Sequence, residues 1–223
     1  MPRPLPKPPS TVLFDLDGTL IDTAPDFIRV LNNLRQENDL APLPAHGIRP
    51  HVSDGARAMI RLGFGLDPED PDYGDRHARF LDLYEAGICE ETELFAGMDR
   101  LLSALEDAGI PWGIVTNKPV RFAAPLLSAL ALDHRCSALI CPDHVTNRKP
   151  DPEGLQLACE QMGAAPDQGI YVGDHARDIE AGRNAGMVTV AVRYGYIVNP
   201  EEVDLWQADH TVDTVDELVK LLQ

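Results

Sequence analysis

The chain has 223 residues, 44% of them hydrophobic, and a formal net charge of −17. That acidity argues against nucleic acid and anionic membranes as partners, and no apolar run reaches the roughly 18–20 residues of a membrane span. Four cysteines, Cys89, Cys136, Cys141 and Cys159, show no C-x-x-C spacing, which fits reduced thiols and a cytoplasmic setting.

The first ten residues, MPRPLPKPPS, lack the apolar core of a secretory signal, and their prolines predict a flexible, extended arm over 1–10. Thr11–Asp15 reads as a short buried strand. From Thr23 the pattern turns helical: Thr23 suits the N-cap, Pro25 the first turn, and Phe27, Leu31 and Leu34 recur at helical spacing. More helix follows to about Ala86, broken by LAPLPAHGIRP and GLDPEDPDYG, and no strand-like alternation stands out between Asp22 and Glu91. Residues 23–96 therefore read as a small helical unit inserted after the first strand, with hinges near Asp22–Ala24 and Phe95–Met98.

From Gly97 the rhythm changes. MDRLLSALEDAG is an amphipathic helix closed by Gly109, WGIVT a strand, VRFAAPLLSALAL a helix and SALIC a strand. PEGLQLACEQMG, GIYVG, ARDIEAGRNAG and MVTVAV continue the alternation, and HTV and VDELVKLL close it. Residues 11–22 and 97–223 thus predict one α/β core, a parallel sheet with helices on both faces. Ligands of such sheets sit beyond the carboxyl ends of the strands.

Asp15 and Asp17 follow the first strand; Thr116, Asn117 and Lys118 follow WGIVT; Arg148 and Lys149 follow SALIC and a loop; Asp174 and Asp178 follow GIYVG. Residues i and i+2 of a strand point the same way, so Asp15 and Asp17 need a counter-charge to ionise together. A hard divalent cation such as Mg²⁺ meets that need with oxygen ligands. Asp174 can add a carboxylate, and Asp178, one helical turn on, either reaches the metal through water or holds Lys149. With the cation bound, Asp15 suits nucleophilic attack on phosphorus and Asp17 suits general acid and base work. Lys149, the Thr116 hydroxyl and backbone N–H groups then face the phosphoryl oxygens, and Gly18 lets the backbone come close. Gly18, Asn117, Lys118, Arg57 and Arg121 are the candidate substrate contacts, Arg57 as a partner for a substrate carboxylate. These cations answer the local need for positive charge that the acidic total imposes.

Taken in order, these motifs resemble those of the haloacid dehalogenase-like hydrolase superfamily, in its phosphatase branch. DLDGTL is similar to the first motif, Thr116 to the second, Lys149 to the third, and the pair Asp174 and Asp178 to the fourth. The resemblance implies a Rossmann-like core with a helical cap, and Mg²⁺ held by Asp15, the backbone carbonyl of Asp17, and Asp174. GARAM, TNKPVRFAAP, CPDHVTNRKPDPE and VRYGYI bring the chain nearest to phosphoglycolate phosphatase-like members, and imply a small phosphomonoester substrate and a monomer or homodimer. Asp54, His175 and Arg148 depart from the pattern the resemblance suggests, and Asp54 bears most on the choice of substrate. Among rival readings, Asp17 argues against a dehalogenase. A phosphosugar mutase shares the core but retains phosphate on its product, and the intact acids and Lys149 disfavour a non-catalytic binding module.

Overall fold

The computed structural model describes residues 2–222. Its main sheet has six parallel strands: β1 (Thr11–Phe14), β4 (Trp112–Val115), β5 (Leu139–Ile140), β6 (Gly169–Gly173), β7 (Val188–Val192) and β8 (His210–Val212). Their order is β5-β4-β1-β6-β7-β8. The chain steps outward from β1 to β4 and β5, then crosses back to β6. The direction of progression therefore reverses between β1 and β6, and ligand crevices open at such a reversal. SALIC forms only the two-residue β5, shorter than its apolar run suggests.

Each central strand is buried along its whole length, as parallel sheets covered on both faces require. Alternate side chains serve opposite faces. Val12 and Phe14 pack with helices α5 (Met98–Asp107), α6 (Val120–Ala129) and α9 (Val215–Leu222). Leu13, Val115 and Tyr171 pack with α7 (Glu153–Met162) and α8 (Ala176–Asn184).

Between β1 and α5 the chain forms four helices: α1 (Ala24–Gln36), α2 (Ala45–Ile48), α3 (Gly55–Phe64) and α4 (Tyr73–Ala86), with a 3-10 turn at Arg49–Asp54. They share an apolar cluster of Phe27, Val30, Leu31, Met59, Ile60 and Phe80, which Phe122 and Tyr196 of the core join. The two crossings into this unit pair as a small antiparallel ribbon, β2 (Ile21–Asp22) with β3 (Glu93–Leu94). The fully buried Asp26 pins α1 to the returning crossing. Its carboxylate accepts from the backbone N–H groups of Glu91 and Thr92, from the Thr92 hydroxyl at 2.6 Å, and from Arg29 at 2.7 Å.

Two local expectations are corrected. Thr23 precedes α1 but makes no side-chain cap; its hydroxyl is drawn to a stronger acceptor, the Asp17 carboxylate. The proline-rich arm, expected to be flexible, lies along the core. Arg3 binds Asp209 at 2.9 Å and the carbonyl of Gly186, and it donates to the Met187 carbonyl; Ser10 N–H donates to the Gln168 carbonyl. The physical reason is that proline stiffness lowers the entropy cost of laying an extended segment along a surface already offering acceptors. An apolar cavity of about 390 Å³, lined in part by Leu5, Pro9, Leu105, Ile110, Ile170 and Leu222, lies under the arm. It sits at the amino ends of the strands, away from the acids.

Candidate active site

Parallel register explains why residues far apart in sequence meet. Phe14 pairs with Ile114 on one side and with Val172 on the other, so the carboxyl ends of β1, β4 and β6 stand nearly level. Asp15, Thr116 and Asp174 are each the first residue after their strand. Asp178 comes from the first turn of α8, where its Oδ2 accepts from the His175 N–H at 3.1 Å. Gly173 beneath it has no room for a Cβ, which would lie 2.4 Å from that of Asp178.

Lys149 is the hub. Its ammonium is 2.8 Å from Asp15 Oδ1 and 2.7 Å from Asp178 Oδ1, and it donates to the Val115 carbonyl at 2.9 Å and the Tyr171 hydroxyl at 2.8 Å. Burial alone would depress it, but Asp15 and Asp178 outweigh that and hold it charged above its ordinary range. Asn117 supports the same residue by donating to the Lys149 carbonyl at 3.2 Å.

The carboxylates of Asp15, Asp174 and Asp178 each offer an oxygen within 4.8 Å of the others, and all three residues are buried. Burial raises the Asp15 carboxyl above its ordinary value; Lys149 opposes this and Asp178 adds to it. Asp174 is carried well above its ordinary value by burial, then by repulsion from Asp15 and Asp178. With Asp17 the site holds four carboxylates against the ammonium groups of Lys149 and Lys118, so two negative charges go uncompensated. An all-oxygen donor set with a deficit of two charges fits a hard divalent cation.

Asp17 stands apart from this cluster. It lies 3.0 Å from the Lys118 ammonium and accepts from Thr23 Oγ1 at 2.6 Å. Lys118 therefore does not present a free cation to substrate. It is buried under the rings of Phe27 and Tyr84, 5.1 and 4.8 Å from their centroids, and Asp17 with Tyr84 raises it despite burial. Thr116 accepts from the Lys118 N–H at 3.1 Å through its hydroxyl oxygen. Gly18 also meets a steric demand beside Asp174. It is left-handed at φ 81°, and a Cβ there would fall 2.2 Å from Asp174 Oδ2. Arg57 and Arg121 are exposed; among the described residues neither side chain makes a hydrogen bond or ion pair, and Arg121 lies over the Phe122 ring. Arg148 is exposed as well.

Sequence reasoning gave Tyr171, Thr19 and Ser53 no role, and Tyr196 only a place at the border of the cleft. Tyr171, a polar tip in the middle of a buried strand, donates to the Val115 carbonyl at 2.9 Å and accepts from Lys149; a tyrosine in an otherwise aliphatic strand was the signal. Tyr196 donates its N–H to Asp174 Oδ2 at 2.8 Å, while its hydroxyl lies 2.8 Å from Asp22 Oδ1 and accepts from the Ala24 N–H. Thr19 and Ser53 both donate to Asp174; Thr19 lies within DLDGTL and Ser53 beside Asp54, but their partner is distant in sequence. A cavity of about 190 Å³ bordered by Ser53, Asp54, Asp174, His175, Tyr196 and Trp206 opens beside the acids.

Buried acids around one lysine, at the reversal point of a parallel sheet roofed by an inserted helical unit, define a Rossmann-like core with a helical cap and an acidic, cation-ready site. Comparison makes the class specific: the haloacid dehalogenase-like hydrolase model matches residues 12–192. The chain belongs to that family, in its phosphatase branch. It is 47% identical to N-acetylmuramic acid 6-phosphate phosphatase of Pseudomonas aeruginosa, over 95% of this chain and 93% of that one. It is 42% identical to phosphoglycolate phosphatase of Xanthomonas campestris pv. campestris, over 94% and 95%. A predicted phosphoglycolate phosphatase from Haemophilus somnus superposes with a TM-score of 0.83 at 25% identity, covering 96% of this chain and 98% of that one.

Proposed function

We propose that this chain is a Mg²⁺-dependent phosphatase that hydrolyses N-acetylmuramic acid 6-phosphate in the cytoplasm through an aspartyl-phosphate on Asp15. The observation that carries the chemistry is the buried Asp15–Asp174–Asp178 cluster around Lys149 at the carboxyl edge of the sheet. The substrate choice is supported by the 47% identity to N-acetylmuramic acid 6-phosphate phosphatases of two Pseudomonas species.

Asp15, Asp174 and the Asp17 carbonyl would hold Mg²⁺, which when bound supplies charge opposite the phosphoryl oxygens. Lys149 keeps Asp15 ionised and aimed. An Asp15 oxygen attacks phosphorus as the bond from phosphorus to the leaving oxygen breaks, and Asp17 delivers a proton to that oxygen. Asp17 then takes a proton from water as the water oxygen attacks phosphorus, which releases inorganic phosphate and restores Asp15. Thr116 and backbone N–H groups face the phosphoryl oxygens. The helical unit excludes water during the first step.

The test is a comparison of kcat/KM for N-acetylmuramic acid 6-phosphate and phosphoglycolate with Mg²⁺ present. A clear preference for the sugar phosphate is expected. Equal rates, or a preference for phosphoglycolate, would overturn the substrate reading and leave the chemistry standing. Asp15→Asn should abolish turnover in a folded protein; substantial residual activity would remove Asp15 as nucleophile.

A further inference from the structure

Ser53 lies in the 3-10 turn Arg49–Asp54, within the inserted helical unit rather than on the sheet. Its hydroxyl nevertheless donates to Asp174 Oδ2 at 3.1 Å. The same oxygen accepts from the Tyr196 N–H at 2.8 Å, while among the described residues Oδ1 accepts only from Thr19 Oγ1, at a longer 3.3 Å. Two donors on Oδ2 orient the carboxylate and leave Oδ1, with its one longer bond from Thr19, the more open to a cation. The turn is itself tied to the loop that carries Asp174. Arg177 donates to the Ser53 carbonyl, and the Asp54 carboxylate lies 3.6 Å from His175 Nε2 and 3.8 Å from Arg177 Nη1. Half-exposed pairs of this kind contribute little singly. Here they converge on the residues just after Asp174 and hold one turn of the inserted unit against the acid cluster.

We propose that Ser53 is a positioning residue for Asp174, so that the inserted helical unit helps to orient a carboxylate that would hold the cation. Outer partners that orient a ligating carboxylate commonly change metal affinity about 10–100-fold when removed. Reciprocity then requires that a bound cation also hold the turn in place. The inference rests on the Mg²⁺ reading above, but it concerns cation affinity rather than the identity of the substrate.

The experiment is calorimetric titration of the full chain with Mg²⁺ alone, no substrate present. Ser53→Ala should weaken binding roughly tenfold, with the thermal midpoint of the metal-free protein unchanged. Arg177→Met, which loosens the turn without touching Asp174, should weaken it about threefold. Mg²⁺ should slow hydrogen exchange at residues 50–57 in the unaltered chain and not in Ser53→Ala. Affinities within twofold for the unaltered chain and Ser53→Ala would overturn the proposal while leaving the metal reading intact. If the unaltered chain takes up no Mg²⁺ at all, the metal reading fails and the proposal fails with it.

Discussion

Asp15 and Asp17 are two residues apart, yet their surroundings assign them different work. Asp15 shares a lysine with Asp178 inside a buried cluster, whereas Asp17 faces Thr23 and Lys118. General acid help is worth about 10²–10⁴-fold and matters most for a poor leaving group. Asp17→Asn should therefore slow formation of the Asp15 ester at least about 100-fold for an alkyl or sugar phosphate and much less for p-nitrophenyl phosphate. Equal slowing of that first step for both, measured by rapid-quench kinetics, would mean that Asp17 does not protonate the leaving oxygen. Gly18→Ala is the sharper structural probe. A methyl 2.2 Å from Asp174 Oδ2, at a φ of 81°, must push the carboxylate aside. Mg²⁺ affinity should fall about 10-fold or more with the circular dichroism spectrum retained. The motif DLDGTL announces that glycine, but its neighbour Asp174 is 156 positions away, so only folding reveals why it is needed.

The helices and strands of the core were legible because their apolar periods are clean, and because Gly109, Pro25 and similar residues punctuate them. The ribbon of β2 and β3 was not, since each strand has only two residues and pairs across the whole inserted unit. Asp26 makes that crossing rigid. Asp26→Ala would leave two backbone N–H groups and the Thr92 hydroxyl without their acceptor and remove one of the partners of Arg29, and should lower stability by about 3 kcal/mol in urea denaturation. The N-terminal arm escaped reading for a related reason: its partners lie near the far end of the chain. Burial tends to raise the Asp209 carboxyl, but hydrogen bonds from Arg3 and Thr189 bring it down to about 2. A carboxyl depressed in the folded state stabilises above its unfolded value, near 4, and that stabilisation fades as pH falls through about 2. Arg3→Ala should thus lower the thermal midpoint at pH 7. The gap from the unaltered chain should narrow as pH drops from about 4 toward 2; a gap independent of pH would show that Arg3 acts through packing.

Across the molecule, a surface of net charge −17 surrounds a site whose own two lysines are already paired with carboxylates. Arg57 and Arg121 are exposed and form no ion pair among the described residues, and under the proposed function a divalent ion would supply the local positive field a phosphate needs. A ligand that binds only the folded state at 100 times its Kd adds about 2.7 kcal/mol. For a chain of this size Mg²⁺ should raise the thermal midpoint by roughly 5–10 °C over a chelator control. Asp174→Asn should abolish most of that increment, as scanning calorimetry can read. The thiols give a second check on the fold. Burial pushes Cys136 and Cys159 up to about 11 and Cys141 up to about 12, so these should resist a disulfide reagent at pH 8 until the chain is denatured.

The linear order of residues was sufficient to place acids, hydroxyl and lysine after successive strands. A parallel sheet brings every carboxyl end to one edge, so that edge can be read without coordinates. Partners were decided only in three dimensions: Lys118 with Asp17, Ser53 and Tyr196 with Asp174, Arg3 with Asp209. Such pairings depend on side-chain direction and strand register between segments distant in the chain. Local periodicity carries neither, and the packed core sets both.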